Sequence, residues 1–207
     1  MIRRFTHLPI LLSLVLAACG GASTPAAGDP PAATEQVPAS TSAPAGVGTA
    51  PSPTQVAPTT VLPTWLLGPF VEVTSGQTLT AADFQGKVLL VETMAIWCTN
   101  CRQQQGEVRT LHERLGERDD LVSLVLDIDP NEDAAALKEY VATRGFVGWY
   151  AVAPAEVAAA LAREYGPSLL NPPSVPMLIV DRTGEVHLLP YGAKSAEALA
   201  NALAPYL

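Results

Sequence analysis

Two hydrophobic patterns alternate along the chain from residue 87 onwards. The run KVLLVETM is almost continuously apolar, which is typical of a central strand covered on both faces. A helix is predicted from about Thr99 to Gly116, because Val108, Leu111 and Leu115 are three and four residues apart. The run LVSLVLDID then predicts a second buried strand that ends near Asp129.

Helix signals dominate the next stretch. The segment DPNE predicts a helix start, with Asp129 as cap, Pro130 in the first turn and Glu132 in a capping box. Gly145 suits the end of that helix. A short strand at WYAVA and a helix over PAEVAAALAREYG follow, and Gly166 ends the helix.

The last part of the chain predicts an antiparallel pair and a helix. MLIVDRTGEVHLL is interpreted as two strands joined by a tight turn at Arg182 to Gly184, and the final helix runs from about Ser195 to Ala204. The order is β-α-β-α-(β)-α-β-β-α, preceded by a short element at FVEVTSGQTLTAADF. Alternation of strand and helix implies parallel pairing, so we predict an α/β fold with a mixed sheet: central parallel strands, a C-terminal antiparallel hairpin and helices on both faces.

The first 18 residues have the pattern of an export signal. Arg3 and Arg4 precede an apolar stretch from Leu8 to Ala18, which is too short to span a bilayer, where about 20 residues are needed. The stretch ends in Leu-Ala-Ala-Cys, which resembles the lipobox of bacterial lipoproteins. We therefore predict a lipid attached to Cys19, and the alternative is an ordinary secreted protein with a free cysteine in its signal region.

Residues 19–64 are rich in Ala, Pro, Ser and Thr, and Asp29 and Glu35 are the charged residues among them. Such a segment buries too little apolar surface to offset its ordering entropy, so we expect a disordered tether that reaches roughly 35 to 40 Å. Residues 65–207 have the length of one ordinary domain with one core. The formal net charge of the chain is -8, which argues against nucleic acid as a partner.

Two cysteines remain after Cys19, and they have the spacing CxxC in the sequence AIWCTNC. Cys98 lies at the predicted helix start, where free backbone N–H groups and the helix dipole favour a thiolate. Cys101 lies one turn further, on the side of Val108 and Leu115, and should be the more buried sulfur. This arrangement suits thiol-disulfide exchange, in which Cys98 attacks and Cys101 resolves the mixed disulfide.

Other interpretations of the pair are weaker. Zinc needs four ligands, and the remaining candidates are His112, expected on the surface side of the same helix, and His187 in the late hairpin. Covalent haem needs a histidine after the second cysteine, where this chain has Arg102. A plain structural disulfide is also open, although so short a loop would stabilise the fold weakly. We therefore predict no metal and no cofactor apart from the redox-active disulfide.

WCTNC after an apolar strand, within the β-α-β and β-β-α order, resembles the thioredoxin fold. The exported and tethered setting resembles the TlpA/ResA branch of thiol-disulfide oxidoreductases, which is similar to proteins of cytochrome c biogenesis. The resemblance covers roughly Phe70 to Leu207. It implies a redox-active pair at Cys98 and Cys101, with Trp97 packed beside it.

The resemblance also implies two further site residues. Pro176, after Val175, stands where thioredoxins have a cis-proline, which leaves the preceding backbone free to pair with an extended substrate. Pro172 and Pro173 are candidates for mere loop stiffeners. Glu92 stands where thioredoxins have a buried acid, and strand alternation puts it on an apolar face, where it can take the proton of the resolving cysteine. The alternative is a Glu92 that is solvated or paired with an arginine.

Together these features predict a membrane-anchored enzyme outside the cytoplasm that exchanges disulfides in protein substrates. Its electrons would come from a membrane donor, because that compartment lacks a reducing buffer like that of the cytosol. The dipeptide Thr99-Asn100 has no histidine, which favours a reductant over an oxidant. Two alternatives stay open: a copper-binding assembly factor, in which His187 would supply the third ligand, and a thiol peroxidase.

Overall fold

The computed structural model describes residues 61–207. Its strands are β1 (Phe70–Val71), β2 (Thr78–Leu79), β3 (Val88–Met94), β4 (Leu121–Asp127), β5 (Trp149–Val152), β6 (Met177–Val180) and β7 (Val186–Leu188). Its α-helices are α1 (Ala81–Phe84), α2 (Thr99–Leu115), α3 (Ala134–Arg144), α4 (Ala155–Tyr165) and α5 (Ala196–Leu203). Short 3-10 helices lie at Thr64–Leu66, Pro167–Leu170 and Pro172–Ser174.

The central sheet has five strands in the order β5-β4-β3-β6-β7. β3 pairs in parallel with β4, and β4 with β5, whereas β6 is antiparallel to both β3 and β7. The predicted mixed sheet with a C-terminal antiparallel hairpin is therefore confirmed. β1 and β2 form a separate antiparallel hairpin.

Each face of the sheet is covered by helices. Val88 and Leu90 of β3 share a buried cluster with side chains of α2 and α5, and α3 adds a second cluster around Val125. Leu89 and Val91 point to the opposite face, where they share a cluster with α4 and the N-terminal segment. This alternation explains why β3 is buried along its whole length.

One predicted helix start is wrong. α3 begins at Ala134 with Asp133 as its N-cap, whose side chain accepts a hydrogen bond from the N–H of Ala136 at 2.8 Å. Asp129 does not cap this helix, because its carboxylate accepts hydrogen bonds from Asn131 and from the Trp97 indole. The loop between β4 and α3 is thus hydrogen-bonded to the last residue of β3, Met94, and to Trp97 in the turn that follows it.

Packing begins upstream of Trp65, where the sequence places the start of the domain. Leu62 is buried in the core, and the N–H of Val61 donates to the carbonyl of Thr183 at 3.2 Å. Gly184 is needed at this contact, since a Cβ there would lie 2.0 Å from the carbonyl oxygen of Val61.

The predicted signal, the lipid site Cys19 and the tether up to residue 60 lie outside the described residues. Within residues 61–207, no helix is both long and apolar enough to cross a membrane.

Candidate active site

Cys98 lies at the N-terminus of α2, directly after the turn that follows β3. Its N–H donates to the carbonyl of Ala95 at 3.0 Å, which closes that turn. The N–H of Cys101 donates to Cys98 Sγ at 3.1 Å, so Cys98 is the N-cap of the helix. The two sulfurs form a disulfide, with their Cα atoms 5.3 Å apart. Once the disulfide is reduced, the helix N-terminus favours a thiolate on Cys98.

The exposure of the two sulfurs is less unequal than the sequence predicts. Cys101 is 0% exposed, as expected, but Cys98 is only 2% exposed and packs with Met94 and Ala95. Cys101 is thus the more buried residue, as predicted, but Cys98 is buried as well in the disulfide form. Helix phase gives the direction of a side chain, but it does not reveal which distant segment packs over it. Trp97 is the exposed neighbour, at 58%.

The 3-10 helix Pro172–Ser174 lies against the disulfide. The carbonyl oxygen of Pro172 is 3.2 Å from Cys101 Sγ, and that of Pro173 accepts a hydrogen bond from Asn100 Nδ2 at 2.8 Å. These two prolines are therefore part of the site and not mere loop stiffeners. Asn100 is exposed and connects the CxxC turn to this segment.

Val175 and Pro176 link that 3-10 helix to β6. The carbonyl of Pro176 accepts a hydrogen bond from the N–H of Thr93 at 3.3 Å, so Pro176 lies beside the end of β3 from which the CxxC turn starts. Val175 is buried and has φ 48° and ψ 60°, in the left-handed region that β-branched residues rarely adopt. The cis isomer of the Val175–Pro176 bond stays a prediction.

Glu92 is buried on the sheet face that α2 covers, as strand alternation predicts. It is 1% exposed, and neither carboxyl oxygen has a hydrogen-bond partner within the described residues. Burial raises the pKa of Glu92 to about 8, although Lys194 and Gln105 act in the opposite direction. The side-chain amide of Gln105 lowers the pKa of this carboxyl, but its geometry is not that of a hydrogen bond. The interpretation of Glu92 as a solvated or arginine-paired residue is excluded.

The surroundings of Glu92 consist of aromatic and amide groups. The hydroxyl of Tyr140 donates a hydrogen bond to Gln105 Oε1 at 3.0 Å. Gln105 lies on α2, one helical turn after Cys101. Burial raises the pKa of Tyr140 to about 12, and the nearby charge of Glu92 contributes to the rise. Tyr150 is also buried, and its pKa is raised by burial and by Glu92. A carboxyl in such an apolar site is suited to holding a proton near neutral pH.

A group of acidic residues at the end of β4 was missed by the sequence analysis. Asp127 is 0% exposed, and the Glu132 carboxylate accepts a hydrogen bond from the N–H of Ile96 at 2.7 Å. Asp129 accepts one from Trp97 Nε1 at 2.6 Å. Burial raises the pKa of Asp127 to about 7, and repulsion from Glu132 adds to the rise. Ile96 and Trp97, the two residues before Cys98, thus donate hydrogen bonds to carboxylates in the loop that follows β4.

Lys194 was also missed by the sequence analysis, because nothing in the local pattern marks a lysine before the last helix. Its Nζ is half-buried and donates to the carbonyls of Val175 at 3.0 Å and Gly192 at 2.6 Å. Burial lowers the pKa of Lys194, and the charge of Glu92 opposes this shift. The ammonium group of Lys194 therefore binds the Val175 carbonyl and acts electrostatically on the buried carboxyl of Glu92.

Neither histidine considered as a metal ligand contacts the cysteines. His112 is half-buried and not on the surface side of α2 as predicted, because its Nε2 lies 2.8 Å from Ser123 Oγ on β4. His187 Nε2 is 3.0 Å from Asp181, and its ring stacks on Tyr206. Since Asp181 follows β6, His187 is at the end of that strand opposite to Pro176. The copper interpretation thus lacks its third ligand in this structure.

Comparison of the chain with protein-family models gives no match, and a search of curated proteins gives none either. Solved structures do match. A thiol:disulfide interchange protein of the thioredoxin family from Chlorobium tepidum superposes with a TM-score of 0.56 at 19% sequence identity, covering 72% of this chain and 97% of that one.

Two further structures give the same result. A secreted disulfide oxidoreductase from Mycobacterium tuberculosis has a TM-score of 0.54 at 14% identity, covering 68% of this chain and 97% of its own. A thiol-disulfide isomerase from Corynebacterium glutamicum has a TM-score of 0.52 at 19% identity, with 73% and 97% covered. The predicted thioredoxin-like fold is therefore confirmed.

Proposed function

We propose that this protein is a thiol-disulfide oxidoreductase that reduces disulfides of protein substrates outside the cytoplasm. The observation that carries the proposal is the disulfide between Cys98 and Cys101 at the N-terminus of α2, the helix that covers the sheet face with the buried, unpartnered carboxyl of Glu92. A helix N-terminus activates the first sulfur, and a buried acid provides a proton acceptor for the second. The thioredoxin-like fold is consistent with this chemistry, but a fold alone does not establish an activity.

The reaction starts from the reduced pair. The Cys98 thiolate attacks one sulfur of the substrate disulfide, and the electron pair of the broken S–S bond goes to the other substrate sulfur, which takes a proton. Glu92 accepts the proton of Cys101, whose thiolate then attacks Cys98 Sγ and releases the second substrate thiol. The substrate gains two electrons and two protons, and the Cys98–Cys101 disulfide is the oxidised product.

The acidic residues beside the pair support the role of a reductant. Glu132 and Asp129 bind the two residues that precede Cys98, and Asp127 lies buried behind them. Negative charge near a thiol disfavours the thiolate, so it destabilises the reduced pair relative to the disulfide. A destabilised reduced form gives its electrons away more readily. The missing histidine between the cysteines acts in the same direction.

The proposal includes a lipid anchor at Cys19 and a membrane protein as electron donor. Both rest on the sequence: the lipobox and the tether predicted for residues 19–64. Detergent-phase partitioning of the full chain, compared with a Cys19→Ser variant, tests the anchor. Loss of partitioning in the variant supports it, and a wild type that stays in the aqueous phase contradicts it.

Reduction of a model protein disulfide by the purified protein tests the activity. We expect turnover with dithiothreitol as electron source, complete loss in Cys98→Ser, and a trapped mixed disulfide in Cys101→Ser. Absence of turnover in the wild type, together with an inert Cys98, would overturn the proposal. Peroxide consumption by the same samples tests the peroxidase alternative.

The reduction potential of the pair tests the direction of electron flow. A value between about -200 and -270 mV, the range of glutaredoxins and thioredoxin, supports the reductant. A value near about -120 mV is that of a strong oxidant and would contradict the proposed direction while leaving the exchange activity intact.

A further inference from the structure

The backbone of Val175 is fully engaged within the protein. Its N–H donates to the carbonyl of Pro172 at 2.8 Å, and its carbonyl accepts from Lys194 Nζ at 3.0 Å. An extended substrate can pair only with a backbone that is extended and has free polar groups. Val175 meets neither condition, since its φ is 48°. The expected docking position is therefore occupied by groups of the chain itself.

The left-handed conformation of Val175 needs support from its surroundings. A β-branched residue is strained in this region, and such strain persists only where neighbouring contacts hold it. Two contacts hold it here: the hydrogen bond to Pro172 and the one from Lys194. The second is the stronger kind, because its donor is an ammonium group.

Lys194 is fixed in turn by the helix that bears the cysteines. The buried side chain of Gln104 accepts a hydrogen bond from the Lys194 N–H at 2.7 Å and donates to the Lys194 carbonyl at 3.0 Å. Gly192 adds a second link, since its N–H donates to the carbonyl of Ser174 at 2.8 Å. The backbone of Lys194 is thus tied to α2 and its side chain to Val175.

The segment held in this way covers the redox pair. Residues 171–175 approach Cys101 Sγ through the Pro172 carbonyl and bind Asn100 through the Pro173 carbonyl. Cys98, which is bonded to Cys101, is itself only 2% exposed. A protein disulfide needs an accessible sulfur for in-line attack, so the residues that bury the pair must move before exchange, and segment 171–175 contacts the pair at Cys101.

We propose that Lys194 is a positioning residue that latches segment 171–175 over the disulfide, and that release of Val175 from Lys194 opens both the sulfur of Cys98 and the backbone that docks the substrate. The role of the latch in substrate docking rests on the function proposed above. The closed and open forms of segment 171–175 do not depend on that function. In the open form, Val175 relaxes to an extended conformation and its carbonyl becomes available to an N–H of the substrate.

The rate at which dithiothreitol reduces the oxidised full-length protein tests the latch. One thiolate of the reagent attacks Cys98 Sγ, the electron pair of the S–S bond goes to Cys101, which takes a proton, and the second thiol closes the cyclic reagent disulfide. We expect Lys194→Met to be reduced about tenfold faster than the wild type, which corresponds to about 1.4 kcal/mol. Lys194→Arg keeps a charged donor and should stay within about threefold of the wild type.

A variant that only loosens the fold provides the matched control. Leu199 is fully buried in α5, in a cluster that lacks the cysteines, so Leu199→Ala lowers the melting temperature without touching the latch. If Leu199→Ala accelerates reduction as much as Lys194→Met does, general destabilisation explains the effect and the latch is overturned. Equal rates for Lys194→Met and the wild type also overturn it.

Alkylation of the reduced Cys101→Ser protein by iodoacetamide provides a second measurement. Adding Lys194→Met to this background should accelerate the modification of Cys98 by a similar factor, whereas a slower or unchanged rate contradicts the latch. Neither assay needs a protein substrate. A protein that lacks exchange activity but shows the accelerated rates would refute the proposed function and leave the latch supported.

Discussion

At the ends of β3 and β4 next to the disulfide, Glu92 and Asp127 are buried, and each has a carboxyl oxygen without a hydrogen-bond partner within the described residues. At the opposite end of the sheet, Asp120 and Asp181 are surrounded by donors. Asp120 accepts from Arg118 and from Arg182 at 2.6 Å. The same functional group, a carboxyl, thus lacks hydrogen-bond partners at one end of the sheet and is fully hydrogen-bonded at the other.

The pKa values of these carboxyls follow the same division. Burial raises the pKa of Glu92 to about 8 and that of Asp127 to about 7. The guanidinium groups of Arg118 and Arg182 hold the pKa of Asp120 well below its usual range. Burial of Asp181 raises its pKa, but hydrogen bonds from Thr183, from His187 and from the Glu185 backbone outweigh this and lower the pKa to about 2. Carboxylates at the remote end therefore stabilise the fold at neutral pH, and those at the disulfide end oppose it.

The difference indicates where the fold accepts a cost in stability for a chemical task. A buried acid with no partner is retained where a proton must be held and released near neutral pH. The remote end has no such task, and its charges are paired. Four substitutions test this contrast, two at each end.

Glu92→Gln should give the largest effect. The folded pKa lies above the unfolded value near 4.5, so the wild type loses stability from about pH 4.5 to pH 8, at about 1.4 kcal/mol per pH unit. The substitution removes this slope and raises the free energy of unfolding at pH 8 by a few kcal/mol. Urea unfolding at pH 5 and pH 8 measures it, with Glu113→Gln on the exposed side of α2 as control.

The same substitution should act oppositely on catalysis. Without the acceptor, resolution of the mixed disulfide slows about 100-fold, and the rise in rate through pH 8 disappears. Stopped-flow measurement of substrate release between pH 6 and pH 9 detects both changes. A variant that is stabilised but resolves at the wild-type rate would refute the proton-acceptor role while leaving the contrast in stability intact.

Asp127→Asn should give a smaller change of the same sign. The wild type loses stability between about pH 4 and pH 7 as this carboxyl ionises in the unfolded chain but not in the fold. The gain is smaller than for Glu92, since one Asp127 oxygen already accepts the N–H of Asp129. Unfolding at pH 7 measures it, and Asp119→Asn on the surface is the control. A loss of stability at pH 7 would show that ionised Asp127 has partners in solution.

Arg182→Met should destabilise the remote end without affecting exchange. Arg182 binds Asp120, the carbonyl of Gly86 and the carbonyl of Tyr206, so it connects the starts of β3 and β4 to the C-terminus. We expect a loss of about 1 to 2 kcal/mol at pH 7 and an unchanged rate of protein disulfide reduction. Arg163→Met, on the exposed side of α4, should leave the free energy of unfolding almost unchanged. A drop in exchange rate would show that the two ends are coupled.

Asp181→Asn should give the smallest change, a loss of stability above about pH 4 that disappears in acid. The folded pKa lies below the ordinary value, so the ionised group stabilises the fold above about pH 4 and this contribution is lost as the pH falls towards 2. Thermal unfolding at pH 3 and pH 7 should therefore differ less in the variant than in the wild type. An unchanged difference would assign the acid sensitivity to other carboxylates.

Local sequence patterns predict most of the framework. The apolar run ending at Met94 and the helix beginning at Thr99 agree with β3 and α2 to within a residue. Gly145 ends α3 in a left-handed conformation, as its type suggests. Such features depend on neighbours three or four positions away, which a sequence displays directly. The burial of Glu92 follows from the period of two in β3 in the same way.

The missing parts of the site all depend on contacts between distant residues. The carbonyl next to Cys101 Sγ comes from Pro172, more than 70 positions later, and Lys194 reaches Val175 across a hairpin. Asp129 is a reasonable helix cap by type, but the Trp97 indole competes for its carboxylate. Spacing rules do not detect such competition, because it is decided only when the strands are assembled.

The chain enters the described fold beside the turn at Gly184. Val61 joins the fold where β6 ends, and the disulfide lies beyond the opposite end of the same strand. Residue 61 and Cys98 therefore lie at opposite poles of the sheet. A molecule that binds at Cys98 thus approaches the pole that does not carry residue 61.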